Sequence, residues 1–130
     1  MAGYPTDLRY TETHEWVRPG EPYMTLGITE LAAERLGEVS FVQLPYAGEL
    51  FRSGDVLCQV SSPAGSATVR MPFVAQINAV NQSLDESPGL VGSDPYGRGW
   101  LVQCRPGEPD AVDELMDAEQ YEAFVAKSAE

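Results

Sequence analysis

The fold class predicted for this 130-residue chain is mainly β, with a short connecting helix and a C-terminal helix. Three observations carry that prediction. Short runs rich in Val, Phe, Tyr and Thr, separated by Gly, Pro and Asp, recur from Leu8 to Cys104. Two of these runs, Val56–Val60 and Ala67–Met71, alternate on either side of Pro63-Ala64-Gly65, as the arms of a core-covering hairpin do. In the tail, Asp117 and Gln120 make a capping-box-like start, and Tyr121, Phe124 and Val125 fall on one helical face.

In chain order, strands are expected near Leu8–Tyr10, Glu15–Arg18 and Tyr23–Ile28. Thr29 can N-cap a two-turn helix over Glu30–Leu36. Glu30 suits its positive end, Arg35 its negative end, and Gly37 supplies the stop. Further strands follow at Val39–Leu44, Val56–Ser61, Ala67–Met71, Ala75–Val80 and Trp100–Cys104. Val56, Cys58 and Val60 point one way and Leu57 and Gln59 the other, because side chains in a strand repeat every second residue. Ala67, Val69 and Met71 oppose Thr68 and Arg70 in the same manner, so one apolar face crosses the hairpin. Gly48–Asp55 before the apex and Pro72–Ile77 after it give two similar strand pairs around the turn. Ser87-Pro88 resembles an N-cap with proline at the first helical position, opening a single turn before the turn Asp94-Pro95-Tyr96-Gly97. The C-terminal helix is expected over about residues 117–127, and residues 1–130 read as one domain.

Twenty Asp plus Glu against eight Lys plus Arg leave a net charge of −12, which disfavours nucleic acid and anionic membrane surfaces as partners. The acid excess is strongest after residue 105, where Glu108, Asp110, Asp113, Glu114, Asp117, Glu119, Glu122 and Glu130 face Lys127; it reads as a solvated helical face. The segment Met1–Asp7 has no basic region followed by an apolar run, and no apolar stretch approaches a membrane span of roughly 20 residues. A cytoplasmic location is therefore expected. Cys58 and Cys104 are too few and too far apart for a disulfide framework or a zinc site, and each reads as a small buried apolar residue. Asn81-Gln-Ser83 matches a glycosylation sequon of little weight without a signal peptide. His14 is the single histidine, and no Ser-His-Asp grouping, metal cluster or phosphate-cradling loop accompanies it. It reads as a partly buried, hydrogen-bonded residue at a strand start. No catalytic or metal-ligating residue is expected, and the enzyme reading is set aside.

Beyond these patterns, Thr13-His-Glu-Trp16, Leu36-Gly-Glu-Val-Ser-Phe-Val-Gln-Leu-Pro45 and Ser93-Asp-Pro-Tyr-Gly97-Arg-Gly-Trp100 closely resemble the H protein family of the glycine cleavage system. The resemblance runs from Arg9-Tyr10 to Tyr121 with motif order and spacing kept. It implies a lipoyl/biotinyl-type β sandwich, the barrel-sandwich hybrid. It also implies a hairpin-apex lysine joined by an amide to lipoate, whose arm visits the glycine-cleavage P, T and L proteins. Gapless alignment from Gly54 to Pro72 puts Ala64 at that lysine position, and the chain's one lysine is Lys127. The apex residues Ser61, Ser62, Pro63 and Gly65 include two further departures: Ser61 where the family usually has Glu, and Gly65 where it has a small non-glycine residue. The groove that holds the loaded arm has Arg35 in place of a histidine and Thr68 in place of an aspartate, while His14 and Glu15 are retained.

The expectation is thus a monomeric relative without covalent lipoate, in a binding or regulatory role. Its apex, flanked by Arg70 and Arg35, would dock a lipoylating enzyme or a glycine-cleavage component. The competing reading is an engineered form of a working carrier, of glycine cleavage or of a related lipoate pathway, with its apex lysine replaced. Four departures at one site favour natural loss.

Overall fold

The computed structural model describes residues 4–20 and 22–128; Met1–Gly3 of the N-terminal segment and Glu130 of the acidic tail lie outside the described residues. Two antiparallel sheets form the body. The first has six strands in the order β1-β2-β3-β9-β8-β5: Arg9–Tyr10 (β1), Glu15–Arg18 (β2), Met24–Ile28 (β3), Val102–Pro106 (β9), Ala75–Val80 (β8) and Leu50–Phe51 (β5). The second has three, in the order Phe41–Gln43 (β4), Val56–Ser62 (β6) and Gly65–Arg70 (β7). Inward side chains of both sheets share one core: Val17, Leu26, Ile77, Val102 and Cys104 from the first, Val42, Leu57, Val60 and Val69 from the second. Burial of this apolar surface is the main term holding the sheets together.

Between β3 and β4 lies the connecting helix α1, Glu30–Leu36, whose buried Ala33 and Leu36 join that core. Thr29 caps it through a side-chain oxygen that accepts from the Ala32 N–H, and Gly37 ends it at φ 75°, where a β-carbon is disfavoured. The C-terminal helix α4, Ala118–Ser128, starts with the reciprocal capping box: Asp117 N–H donates to Gln120 Oε1 at 2.9 Å and Gln120 N–H to Asp117 Oδ1 at 2.8 Å. Its inner face closes a second apolar cluster of Leu8, Tyr10, Trp16, Ala118 and Tyr121. Tyr121 stacks on Tyr10 with centroids 4.7 Å apart and planes 8° from parallel.

Several expectations change at element ends. The strand expected at Val39–Leu44 shortens to β4, and that expected at Trp100–Cys104 shifts to β9, where Arg105 and Pro106 still pair with Gln76 and Ala75. A short helix α2, Ser83–Glu86, precedes the turn α3, Leu90–Ser93. Ser87 closes α2, and Gly89, with no side-chain cap bond, stands at the start of α3. Pro88 lies in the turn between them, so the N-cap expected at Ser87 is corrected. A 3-10 helix over Pro109–Glu114 leads to α4. Asn81 is buried and donates through Nδ2 to the carbonyls of Arg98 and Trp100, each at 2.8 Å, which gives it a structural role. Cys58 and Cys104 are buried and free, and burial pushes both thiols up to about 12.

Candidate functional site

The β6–β7 hairpin pairs Ser62 with Gly65, leaving Pro63 and Ala64 as a two-residue loop at its tip. Pro63, Ala64 and Gly65 are exposed. Gly65 sits at φ 153°, a conformation side-chain-bearing residues rarely adopt. The tip is anchored from below by Ser62, whose Oγ donates to the carbonyl of Leu36 at 2.6 Å and accepts from the Ala64 N–H at 3.2 Å. The carbonyl of Ser61 accepts from the Ser40 N–H at 2.8 Å. Helix α1 and the hairpin are thereby joined directly.

Between them runs a groove of about 260 Å³. One wall is Thr13, His14, Ala32, Arg35 and Leu36; the other is the hairpin from Ala64 to Ala67. The structure thus brings His14, Arg35, Ala64 and Gly65 together around one space. It does not bring Glu15 or Thr68 into that lining. Glu15 follows His14 into β2, so its side chain points to the opposite side and is 2% exposed. Its carboxylate accepts from the Thr11 and Thr13 hydroxyls and, at 3.2 Å, from the Arg70 N–H. These bonds satisfy a buried anion and fix the loop that carries His14. Thr68 lies two residues down β7 from Ser66, exposed and opposite Gln59.

His14 has φ 72°, the one positive value at a non-glycine position among the described residues. That strain is tolerated because the residue is bonded on every side. Its N–H donates to the Thr11 carbonyl and its carbonyl accepts from the Thr29 N–H, at 3.1 and 3.0 Å. Its Nδ1 lies 2.7 Å from the Tyr121 hydroxyl, which lies 2.9 Å from Thr29 Oγ1. Its Nε2 lies 3.5 Å from Arg35 Nη1. Burial, and then the Arg35 charge, hold the His14 pKa below its ordinary value, so the ring is neutral at pH 7. Because the guanidinium can only donate, Nε2 is the acceptor and Nδ1 carries the proton toward Tyr121. Burial raises the Tyr121 phenol to about 12, which keeps it a neutral link in this chain. Tyr121 is the site residue that sequence reasoning assigns only to helix docking; its pairing with His14 spans 107 positions, and no local pattern announces it.

No group of three or more His, Cys, Asp or Glu among the described residues could hold a metal ion, and no helix there is long and apolar enough to cross a membrane. Residues 8–128 match the family described as Glycine cleavage H-protein. The chain is 46% identical over 123 residues to a glycine cleavage system H protein of Pseudoalteromonas atlantica, covering 94% of this chain and 95% of the relative. It is 45% identical over 123 residues, with the same coverage, to one of Alteromonas mediterranea. The crystal structure of a glycine cleavage system H protein from Mycobacterium marinum superposes with a TM-score of 0.84 at 32% identity, covering 98% of this chain and 100% of that one.

Proposed function

The chain belongs to the glycine cleavage H-protein family, and on that premise we propose that it is a member without a lipoyl arm that binds partners of the pathway instead of carrying their intermediate. Proteins of this family carry lipoate and work with the P, T and L proteins; they are carriers, not catalysts. The observation that carries the proposal is Ala64 at the hairpin tip. Lipoyl attachment is an amide to a side-chain amine, and a methyl group cannot form it. The residues at the apex therefore do not fit a covalently held lipoyl group. Lys127, the chain's one lysine, lies on α4 and not on a hairpin tip, so it makes no substitute.

The proposed docking surface is the apex, Ser61 to Gly65, with Arg35 and Arg70 beside it. Arg70 keeps its guanidinium near the surface by donating to the Gly54 carbonyl at 3.0 Å. Tryptic digestion of protein from its own source is the direct test. Cleavage after Arg52 and Arg70 releases Ser53–Arg70, and the mass is expected to be that of an unmodified peptide with Ala64. A lipoyl-lysine mass would instead identify this sequence as a blocked form of a working carrier. In parallel, a lipoylating enzyme is expected to modify the Ala64→Lys variant and leave the parent chain untouched. Retention of the parent by that enzyme or by a glycine-cleavage component should be lost in Ala64→Trp; undiminished retention removes the apex as the docking surface.

A further inference from the structure

Helix α1 has seven residues, and helices shorter than about 12–15 residues are marginal in water on their own, because nucleation fixes several residues for one hydrogen bond. Its order is therefore lent by its surroundings. Besides the burial of Ala33 and Leu36, its first turn is held by two tyrosine hydroxyls from distant parts of the chain. Tyr96 accepts from the Glu30 N–H at 2.9 Å, and Tyr121 of α4 lies 2.9 Å from Thr29 Oγ1, the atom that caps the Ala32 N–H. At the other end α1 does the holding: the Leu36 carbonyl accepts from Ser62 Oγ at 2.6 Å, and that oxygen accepts from the Ala64 N–H at 3.2 Å. The single Ser62 proton goes to Leu36 and not to the Gly65 carbonyl, which is farther at 3.3 Å.

We propose that α1 is a coupling strut between α4 and the hairpin tip: the Tyr121 hydroxyl, through Thr29 and the helix, sets how firmly Ala64 is held. In so short a helix the two ends share their bonds. The Ala33 N–H donates to the Thr29 carbonyl at 3.0 Å, and the Gly37 N–H to the Ala33 carbonyl at 3.1 Å, so a cap lost at Thr29 loosens both turns. Pro63 and Ala64 are exposed, and the tip follows Ser62. The coupling is reciprocal: what steadies the tip steadies the seat of α4, and what lifts α4 loosens the tip. Tyr121 is thus a positioning residue for a surface it does not touch, whatever meets that surface.

Amide exchange followed by NMR in the full chain tests the strut. Tyr121→Phe keeps the ring and deletes the hydroxyl; exchange at Ala33, Gly37 and Ala64 is expected to quicken about threefold to tenfold, as for one lost hydrogen bond. Thr29→Val, which leaves Tyr121 bonded to His14, should copy it, while Thr29→Ser keeps the hydroxyl and should stay near the parent. Ile77→Val, a buried change of comparable cost elsewhere in the core, should leave Ala64 at its parent rate. Ser62→Ala cuts the strut from the tip: in that background Tyr121→Phe should still quicken Ala33 and Gly37 and add nothing at Ala64. Unchanged exchange at Ala64 in Tyr121→Phe, an equal rise in Ile77→Val, or an undiminished effect of Tyr121→Phe in the Ser62→Ala background would each overturn the coupling.

Discussion

On one side of the groove Pro63 and Ala64 stand exposed, tied down by Ser62 through its bond to Leu36. On the other, His14 rests on Tyr121, a fully buried ring stacked on Tyr10 and met edge-on by Tyr4 at 4.8 Å. The first wall contributes little packing, and the second is part of the core. An exposed tip with no packing partner can change its chemistry while the fold stands, which is how a carrier's attachment residue can be lost without loss of the carrier's shape. A residue such as His14 cannot change so freely, because its neighbours are bonded through it.

Substitutions on the two walls should therefore differ in cost, and the largest effect is expected at Tyr121. Tyr121→Ala removes a buried aromatic side chain and should cost about 3–5 kcal/mol in urea unfolding. A cost under 1 kcal/mol would mean that α4 is not anchored by this ring. Tyr121→Phe keeps the packing and strips the hydroxyl from His14 Nδ1 and Thr29, for an expected loss of about 1–3 kcal/mol.

Smaller still is a pH effect. The pKa of His14 in the folded chain lies below 6.5, so as pH falls the unfolded chain takes up this proton first. Its contribution to stability is complete above the unfolded value and is lost as pH falls from there toward the folded one. His14→Asn accepts a positive φ and does not titrate. The difference in melting temperature between parent and variant is expected to narrow from pH 7.5 to 5.5, and a constant difference would remove His14 as the source. The smallest effect belongs to the other wall: Ala64→Lys should change stability by no more than about 0.5 kcal/mol, and a larger loss would show that the tip is packed after all.

Local signals in the sequence carry much of this architecture. The runs Val56–Val60 and Ala67–Met71 do pair as a hairpin and the Asp117–Gln120 capping box forms as read, but the alternation expected of Val56, Leu57 and Cys58 fails: a register shift between Val56 and Cys58 leaves Val56 exposed and buries both Leu57 and Cys58. What escapes is either short or long-range. Leu50–Phe51 is too brief to display a period and becomes β5 only because β8 lies beside it. The strand expected to end at Cys104 runs on through Arg105 and Pro106, which keep register with Gln76 and Ala75. At the site, the resemblance points to the neighbourhood of His14 and Arg35, and their placement across from Ala64 depends on how α1 meets the hairpin. Glu15 shows the limit of reading by position: one residue from His14 in sequence, it faces the opposite way and holds the loop instead of lining the groove.

The bond from Ser62 to the Leu36 carbonyl has a mechanical consequence. It joins the two banks of the channel across its foot, so outward movement of either bank alone must break it. Parting them therefore costs one hydrogen bond, on the order of 1 kcal/mol.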